Sequence, residues 1–243
     1  MIDFRGSSGG TLDIKQFRYG EDNLAYLIYG NKQAMAVDGG AWFEMLQFLN
    51  RYGLTLKIVT NTHGHYDHTS GNSELLRQTK AIYLDSKDLR DFQEILIEDK
   101  KVVVYRTPGH TNDSVCFHAG HYLITGDTLF IGTIGNCFSG NPASFYQSLR
   151  RLMALPCDTI IYPGHDYVQD ALAFAHRLEP DNSEIATYLN HYDPDLIRTT
   201  LANESRINPY LRFNEDAIVV LLQKLGLPHA TEWERWKSLM SID

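Results

Sequence analysis

Thr62-His63-Gly64-His65-Tyr66-Asp67-His68 places three imidazoles and a carboxylate in the pattern H-x-H-x-D-H. A packed core has no use for that density of polar groups, whereas a metal ion does. Imidazole nitrogen and carboxylate oxygen together suit zinc, iron or manganese. On an extended loop neighbouring side chains point in different directions, so one loop can offer a His pair to one metal and an Asp-His pair to a second. The preceding Leu56-Lys57-Ile58-Val59-Thr60 is short, apolar and β-branched, and reads as a buried strand. The ligands therefore fall just beyond a strand's carboxyl end, where sites in layered α/β folds collect. A helical run over 74–79 follows.

Three further segments repeat the arrangement of strand, glycine-containing turn and ligand. Val102-Val103-Val104-Tyr105 leads to Thr107-Pro108-Gly109-His110-Thr111. Tyr122-Leu123-Ile124-Thr125 leads to Gly126-Asp127-Thr128-Leu129-Phe130. Asp158-Thr159-Ile160-Ile161-Tyr162 leads to Pro163-Gly164-His165-Asp166-Tyr167. Glycine lets the backbone turn tightly at each strand end and brings the ligands to a common rim.

The ordered series His63, His65, Asp67, His68, His110, Asp127, His165 resembles the metallo-β-lactamase superfamily. The versions Gly126-Asp127-Thr128-Leu129-Phe130 and Pro163-Gly164-His165-Asp166-Tyr167 resemble its glyoxalase II branch, the hydroxyacylglutathione hydrolases. So does Glu204-Ser205-Arg206-Ile207-Asn208-Pro209-Tyr210-Leu211-Arg212, which is similar to a motif of that branch's helical C-terminal part. The resemblance covers nearly the whole chain. It implies an α/β fold, the four-layer αβ/βα sandwich, followed by a small α-helical domain. It also implies two divalent metal ions, zinc first, with iron or manganese as alternatives. His63, His65 and His110 are then expected to hold one metal and Asp67, His68 and His165 the other, with Asp127 bridging; Asp67 and Asp127 are the catalytic carboxylates. The implied activity is hydrolysis of an S-2-hydroxyacylglutathione, such as S-lactoylglutathione, by a metal-bridging hydroxide. An iron-dependent persulfide dioxygenase, or a hydrolase of another thioester or a lactone, is the alternative.

Substrate recognition follows the resemblance less closely. The branch binds the glutathione anion with basic and tyrosyl groups, and Tyr167 matches one of its tyrosines. In Ile134-Gly135-Asn136-Cys137-Phe138-Ser139-Gly140, Asn136 stands where a Lys or Arg is expected, and Phe138 keeps an aromatic ring without the hydroxyl. Near the C-terminus Arg235 is kept, but Lys237 comes one position early, a rotation of about 100° on a helix.

Composition bounds the reading. Of 243 residues, 43% are hydrophobic and 21% charged, ordinary for a globular protein. A net charge of −8 argues against nucleic acid as a partner, since phosphate binding needs a basic surface. Cys116, Cys137 and Cys157 are scattered and suggest no disulfide framework. No apolar run reaches the length of a membrane span, and Met1 to Arg5 lack the pattern of a leader, so a cytoplasmic protein is expected.

Along the chain, Leu24–Tyr29 and Ala34–Val37 read as hairpin strands, with a helix from Trp42 that Gly53 stops. A strand is expected over 81–84, a polar helix over 87–96 and a helix over 142–155. Near Glu179-Pro180-Asp181 the strand signals end. Helices are expected over 182–191, 215–225 and 232–240, dividing the chain into a metallohydrolase domain, 1–179, and a helical substrate-binding domain, 180–243. Asp38 and Thr111 read either as hydrogen-bond partners of ligands or as cap and turn residues.

Overall fold

The computed structural model describes residues 11–242; the reading of the first five residues lies outside it. Two sheets face one another. The first has strands β1 (Asp13–Tyr19), β2 (Asn23–Tyr29), β3 (Gln33–Val37), β4 (Thr55–Thr60) and β5 (Ile82–Leu84), in that spatial order. The second has β6 (Glu94–Ile97), β7 (Lys100–Arg106), β8 (Val115–Ala119), β9 (Tyr122–Gly126), β10 (Ile160–Pro163) and β11 (Thr199–Thr200), each beside the next. The helices are α1 (Trp42–Tyr52), α2 (Tyr66–Thr69), α3 (Asn72–Gln78), α4 (Pro142–Met153), α5 (Val168–Leu178), α6 (Ser183–Leu189), α7 (Leu201–Ile207), α8 (Asp216–Lys224) and α9 (Glu232–Leu239).

The layers follow from period-two burial. On β2, Leu24, Tyr26 and Ile28 enter the core between the sheets, where they meet Val102, Val104, Phe117 and Ile124. Ala25 and Leu27 face outward onto Met45 and Leu49 of α1 and Leu75 of α3. The second sheet turns Cys116, Leu123 and Ile161 outward onto Phe145, Leu149 and Leu152 of α4. Helices thus cover both outer faces, the αβ/βα sandwich, and strands buried on both sides read as continuous apolar runs. Trp236 of α9 is fully buried against Phe145 and Tyr146, so the C-terminal helices extend this outer core.

Topology places the ligands. β7 and β8 are antiparallel, as are β8 and β9, while β9 and β10 are parallel. The carboxyl ends of β7, β9 and β10 therefore lie at one edge. β4 delivers its carboxyl end to the same edge from the facing sheet: Val115 N–H donates to the Thr62 carbonyl at 2.8 Å. Leu24 N–H donates to the Gly164 carbonyl, also at 2.8 Å, and closes the seam between the sheets there.

Two expectations are corrected. Residues 87–96 are not a helix. Ser86–Asp88 form one 3-10 turn, capped by Asp85, Phe92 has φ 56°, and Glu94–Ile97 is a strand paired with Lys100–Val103. The polar residues before it mask an alternation in which only Ile95 and Ile97 are buried. Strands also do not end at 180, because Thr199–Thr200 pairs with Ile160–Ile161 as the outermost strand of the second sheet. Five further elements that the sequence did not announce, β1, α2, β8, α5 and α7, complete the frame. Among the described residues no helix is long and apolar enough to cross a membrane.

Glu204 of α7 is fully buried, and burial pushes its carboxyl from 4.5 up to about 7. Such a group favours folding below its unfolded pKa, and that contribution is lost as pH rises through its native one. The shift corresponds to on the order of 3 kcal/mol. Glu204→Gln, which cannot ionise, is expected to gain unfolding free energy relative to the parent protein between pH 5 and pH 8 in denaturant titrations. A difference independent of pH would contradict this assignment.

Candidate metal centre

The β4 loop turns at once into α2, so His63 and His65 lie on its extended part and Asp67 and His68 on the first helical turn. His63, His65, His110 and Asp127 bring one ligand atom each within 4.8 Å of one another, and so do Asp67, His68 and His165. His65 Nδ1 lies 2.8 Å from His63 Nε2 and 3.1 Å from His110 Nε2. His68 Nε2 lies 3.2 Å from His165 Nε2. Between the groups, Asp127 Oδ1 is 3.4 Å from His68 Nε2, and Asp127 Oδ2 is 3.4 Å from His110 Nε2 and 3.5 Å from His165 Nε2. Asp67 Oδ2 stands 3.6 Å from His68 Nε2 and 3.4 Å from His165 Nε2.

The outer nitrogens of four rings are braced. His68 Nδ1 lies 3.0 Å from Asp38 Oδ2, His165 Nδ1 2.9 Å from Asp22 Oδ1, and His110 Nδ1 2.9 Å from the Asn136 carbonyl. His63 Nδ1 is 3.1 Å from Thr62 Oγ1, whose own proton goes to Asp38 Oδ2. Each outer nitrogen therefore donates, and each inner nitrogen keeps its lone pair. Asp127 Oδ1 is buried and accepts no hydrogen bond. Lone pairs and a carboxylate oxygen that face only each other repel unless a cation lies among them. Tetrahedral bonds of about 2.0–2.1 Å put ligand atoms about 3.3–3.4 Å apart, close to the spacings observed. The residues fit a divalent metal site.

The electrostatics agree. Burial pushes His63 down to about 3 and lowers His110, which keeps both rings neutral. Burial also opposes charge on His68, yet Asp38 and Asp127 raise it well above the usual imidazole value. His165 is raised in the same way, chiefly by Asp127. Burial would raise Asp127, but His165 and His68 hold it well below the usual carboxylate range. This half of the cluster calls for positive charge.

Close approach is built into the turns. A Cβ on Gly164 would stand 2.2 Å from Asp127 Oδ1, and one on Gly135 would stand 2.0 Å from the Asp127 carbonyl. Asp38 sits at φ 60°, a left-handed conformation that Asp tolerates better than most residues. Its side chain makes no helix cap; it accepts from Thr62 N–H at 2.8 Å and from the His68 ring. Thr111 does not brace His110; its hydroxyl pairs with Ser114 Oγ at 2.7 Å. Asp22 and Asn23 escaped the sequence reading. Asp22 ends the β1–β2 turn and Asn23 opens β2, and Asn23 Nδ2 donates to Asp67 Oδ2 at 3.0 Å.

Of the residues expected to meet substrate, Phe138 is 67% exposed and lays its ring edge against His65 and His110. Tyr167 stacks on His165, with centroids 4.9 Å apart. Asn136 exposes its side chain while its carbonyl holds His110. Arg235 donates to Asn214 Oδ1 and the His229 carbonyl, and Lys237 is exposed on the same helix. Among the described residues neither makes a hydrogen bond or ion pair to the cluster.

Residues 18–84 and 80–165 match the model of the metallo-beta-lactamase superfamily, and residues 166–239 match that of the hydroxyacylglutathione hydrolase C-terminus. A hydroxyacylglutathione hydrolase of Pseudoalteromonas translucida is 31% identical, over 95% of this chain and 97% of its own. One from Methylobacillus flagellatus is 33% identical, over 82% and 86%. Among solved structures, ETHE1 from Myxococcus xanthus superposes with a TM-score of 0.67 at 27% identity, covering 93% of this chain and 99% of its own. TTHA1623, solved in a di-iron-bound form, shares the fold with a TM-score of 0.61 at 22% identity, over 81% and 100%. The chain belongs to the hydroxyacylglutathione hydrolase family of the metallo-beta-lactamase superfamily, and it is a metal-dependent hydrolase.

Proposed function

We propose that the protein is a dinuclear-metal thioesterase that hydrolyses S-2-hydroxyacylglutathione, such as S-lactoylglutathione, to a 2-hydroxy acid and glutathione. The observation that carries the reading is the pair of adjoining ligand groups sharing Asp127, in a chain whose C-terminal part matches the hydroxyacylglutathione hydrolase model. His63, His65 and His110 would hold one metal, Asp67, His68 and His165 the other, and Asp127 would bridge them. Bound there, divalent metals lower the pKa of water to about 7 and polarise a carbonyl.

The chain's own groups do the rest. Asp22, Asp38, Thr62 and the Asn136 carbonyl fix ring orientation and hold a proton on each outer nitrogen, which turns the inner nitrogens toward the metal position. Phe138, beside His65 and His110, and Tyr167, stacked on His165, would exclude water from the acyl group. Burial pushes the Tyr167 phenol up to about 12, so it stays a neutral donor near pH 7. No cysteine is suited to attack: Cys116 is buried, which pushes its thiol up to about 12, Cys137 Sγ packs against Ser139 Oγ, and Cys157 lies before the amino end of β10, away from the metal edge. The departing thiolate needs no protonation to leave, since a free thiol has a pKa of about 8.5. In this reading 180–243 is the substrate-binding domain, with Arg235 and Lys237 as its basic groups and Asn136 facing the thiol.

Thiol release from S-D-lactoylglutathione, beside the matching coenzyme A thioester, by metal-quantified protein tests the proposal. Rapid turnover of the glutathione substrate by protein holding both metals is expected. Oxygen consumption with a persulfide, and no thiol release, would replace the proposal with dioxygenase chemistry. Asp127→Ala is expected to lose metal and hydrolysis together while keeping its circular dichroism; full activity would remove the dinuclear reading. Asp38→Ala is expected to weaken metal binding roughly ten- to a hundred-fold, the usual effect of losing a group that braces a ligating imidazole. Chelator competition measures it, and unchanged affinity would deny Asp38 that role.

A further inference from the structure

The segment from Glu204 to Arg212 lies on the far side of the chain from the ligand motifs in sequence, yet two of its side chains reach into the metal edge. Glu204 and Asn208, both fully buried, face the loop between Asp127 and Phe138. Glu204 Oε2 accepts from Gly132 N–H at 2.9 Å and from Asn208 Nδ2 at 2.9 Å. Asn208 Nδ2 also donates to the Thr133 carbonyl at 3.0 Å. One carboxylate and one amide thus grip two successive backbone groups of the loop.

The loop transmits that grip. Its tip is folded back on itself: Phe130 N–H donates to the Thr133 carbonyl at 3.0 Å, and Leu129 bridges Ile134. Gly132 at the turn has φ 75°, which a side chain would strain. Beyond it Gly135 packs onto the Asp127 carbonyl and the His110 ring, and Asn136 presents its carbonyl to His110 Nδ1 at 2.9 Å. A shift at Gly132 or Thr133 would move that carbonyl, the one group that fixes the His110 proton on Nδ1 and leaves Nε2 toward Asp127.

We infer that Glu204 and Asn208 are positioning residues for the metal centre: by clamping Gly132 and Thr133 they set the Asn136 carbonyl, and through it the aim and protonation of His110. The inference rests on the reading of His110 as a ligand. It assigns the contact between α7 and the loop a role in metal affinity and not only in packing of the C-terminal helices. Arg212, in the same segment, pairs with Glu179 at 2.9 Å and, among the described residues, makes no side-chain hydrogen bond or ion pair to the loop, so it serves as the stability control.

The test reads zinc affinity alone, without substrate, so thioesterase activity can fail without touching it. Asn208→Ala and Glu204→Ala are expected to lose about tenfold in zinc affinity, at the low end of the effect of disturbing a group that orients a ligand. The loss should fall on the site that His110→Ala removes. Glu204→Gln keeps a carbonyl for Gly132 and is expected to rescue affinity. Arg212→Ala is expected to melt earlier yet bind zinc as the parent protein does. Asn208→Ala carries the test if Glu204→Ala does not fold. Parent-like affinity in Asn208→Ala would overturn the inference, as would an equal loss in Arg212→Ala. Parent protein that binds no zinc would remove the centre itself.

Discussion

Everything at the functional edge depends on holding like groups together. Five imidazoles and two carboxylates converge in two adjoining groups, the ligand atoms of each within 4.8 Å of one another, with one oxygen of Asp127 buried and unpaired. Each desolvated acceptor left without a donor costs about 1–3 kcal/mol, and more when charged. A chain maintains such a cluster only if its backbone leaves the side chains no alternative. Here the constraint comes from strand direction: three carboxyl ends of one sheet and one of its partner arrive at the same line. Each ligand follows within a few residues, too few to turn away.

The bracing around the ligands is distributed across the chain. Asp38 comes from the end of β3, Asp22 from the β1–β2 turn, and Asn136 from the loop after β9. None of these is adjacent in sequence to the ring it orients. That separation explains the uneven legibility of the site. The ligands themselves were readable, because each motif follows an apolar, β-branched run and contains a glycine, and the order of the motifs narrowed their roles. Asp38 could be suspected for the same reason. Asp22 could not, since β1 mixes Lys15, Gln16 and Arg18 with Phe17 and so hides its strand period. Gln16 is buried because it exchanges hydrogen bonds with Ile197, and no local pattern reveals a partner 181 positions away.

Backbone groups were the other blind spot. Thr111 was a reasonable guess for the partner of His110 because it has a hydroxyl next door, but the structure uses a main-chain carbonyl 26 residues on. A carbonyl carries no signature in the amino-acid alphabet. The misread segment over 87–96 has a related cause. Its strand buries only two side chains, so the periodic signal is shorter than the polar stretch in front of it. The C-terminal helices were legible as helical runs, and the structure caps two of them with Asn182 and Thr231. The two-residue strand that precedes α7 is too short to announce itself.

The ligand atoms are divided between the two sheets: His63, His65, Asp67 and His68 hang from the first, and His110, Asp127 and His165 from the second. Any ion bound among them is therefore a clasp across the sandwich as well as a reagent. Its occupancy adds to folding free energy in proportion to the logarithm of free metal over the dissociation constant. The resistance of this protein to unfolding is then a property of its surroundings too, rising in a metal-replete medium and falling wherever a competitor strips the ion away.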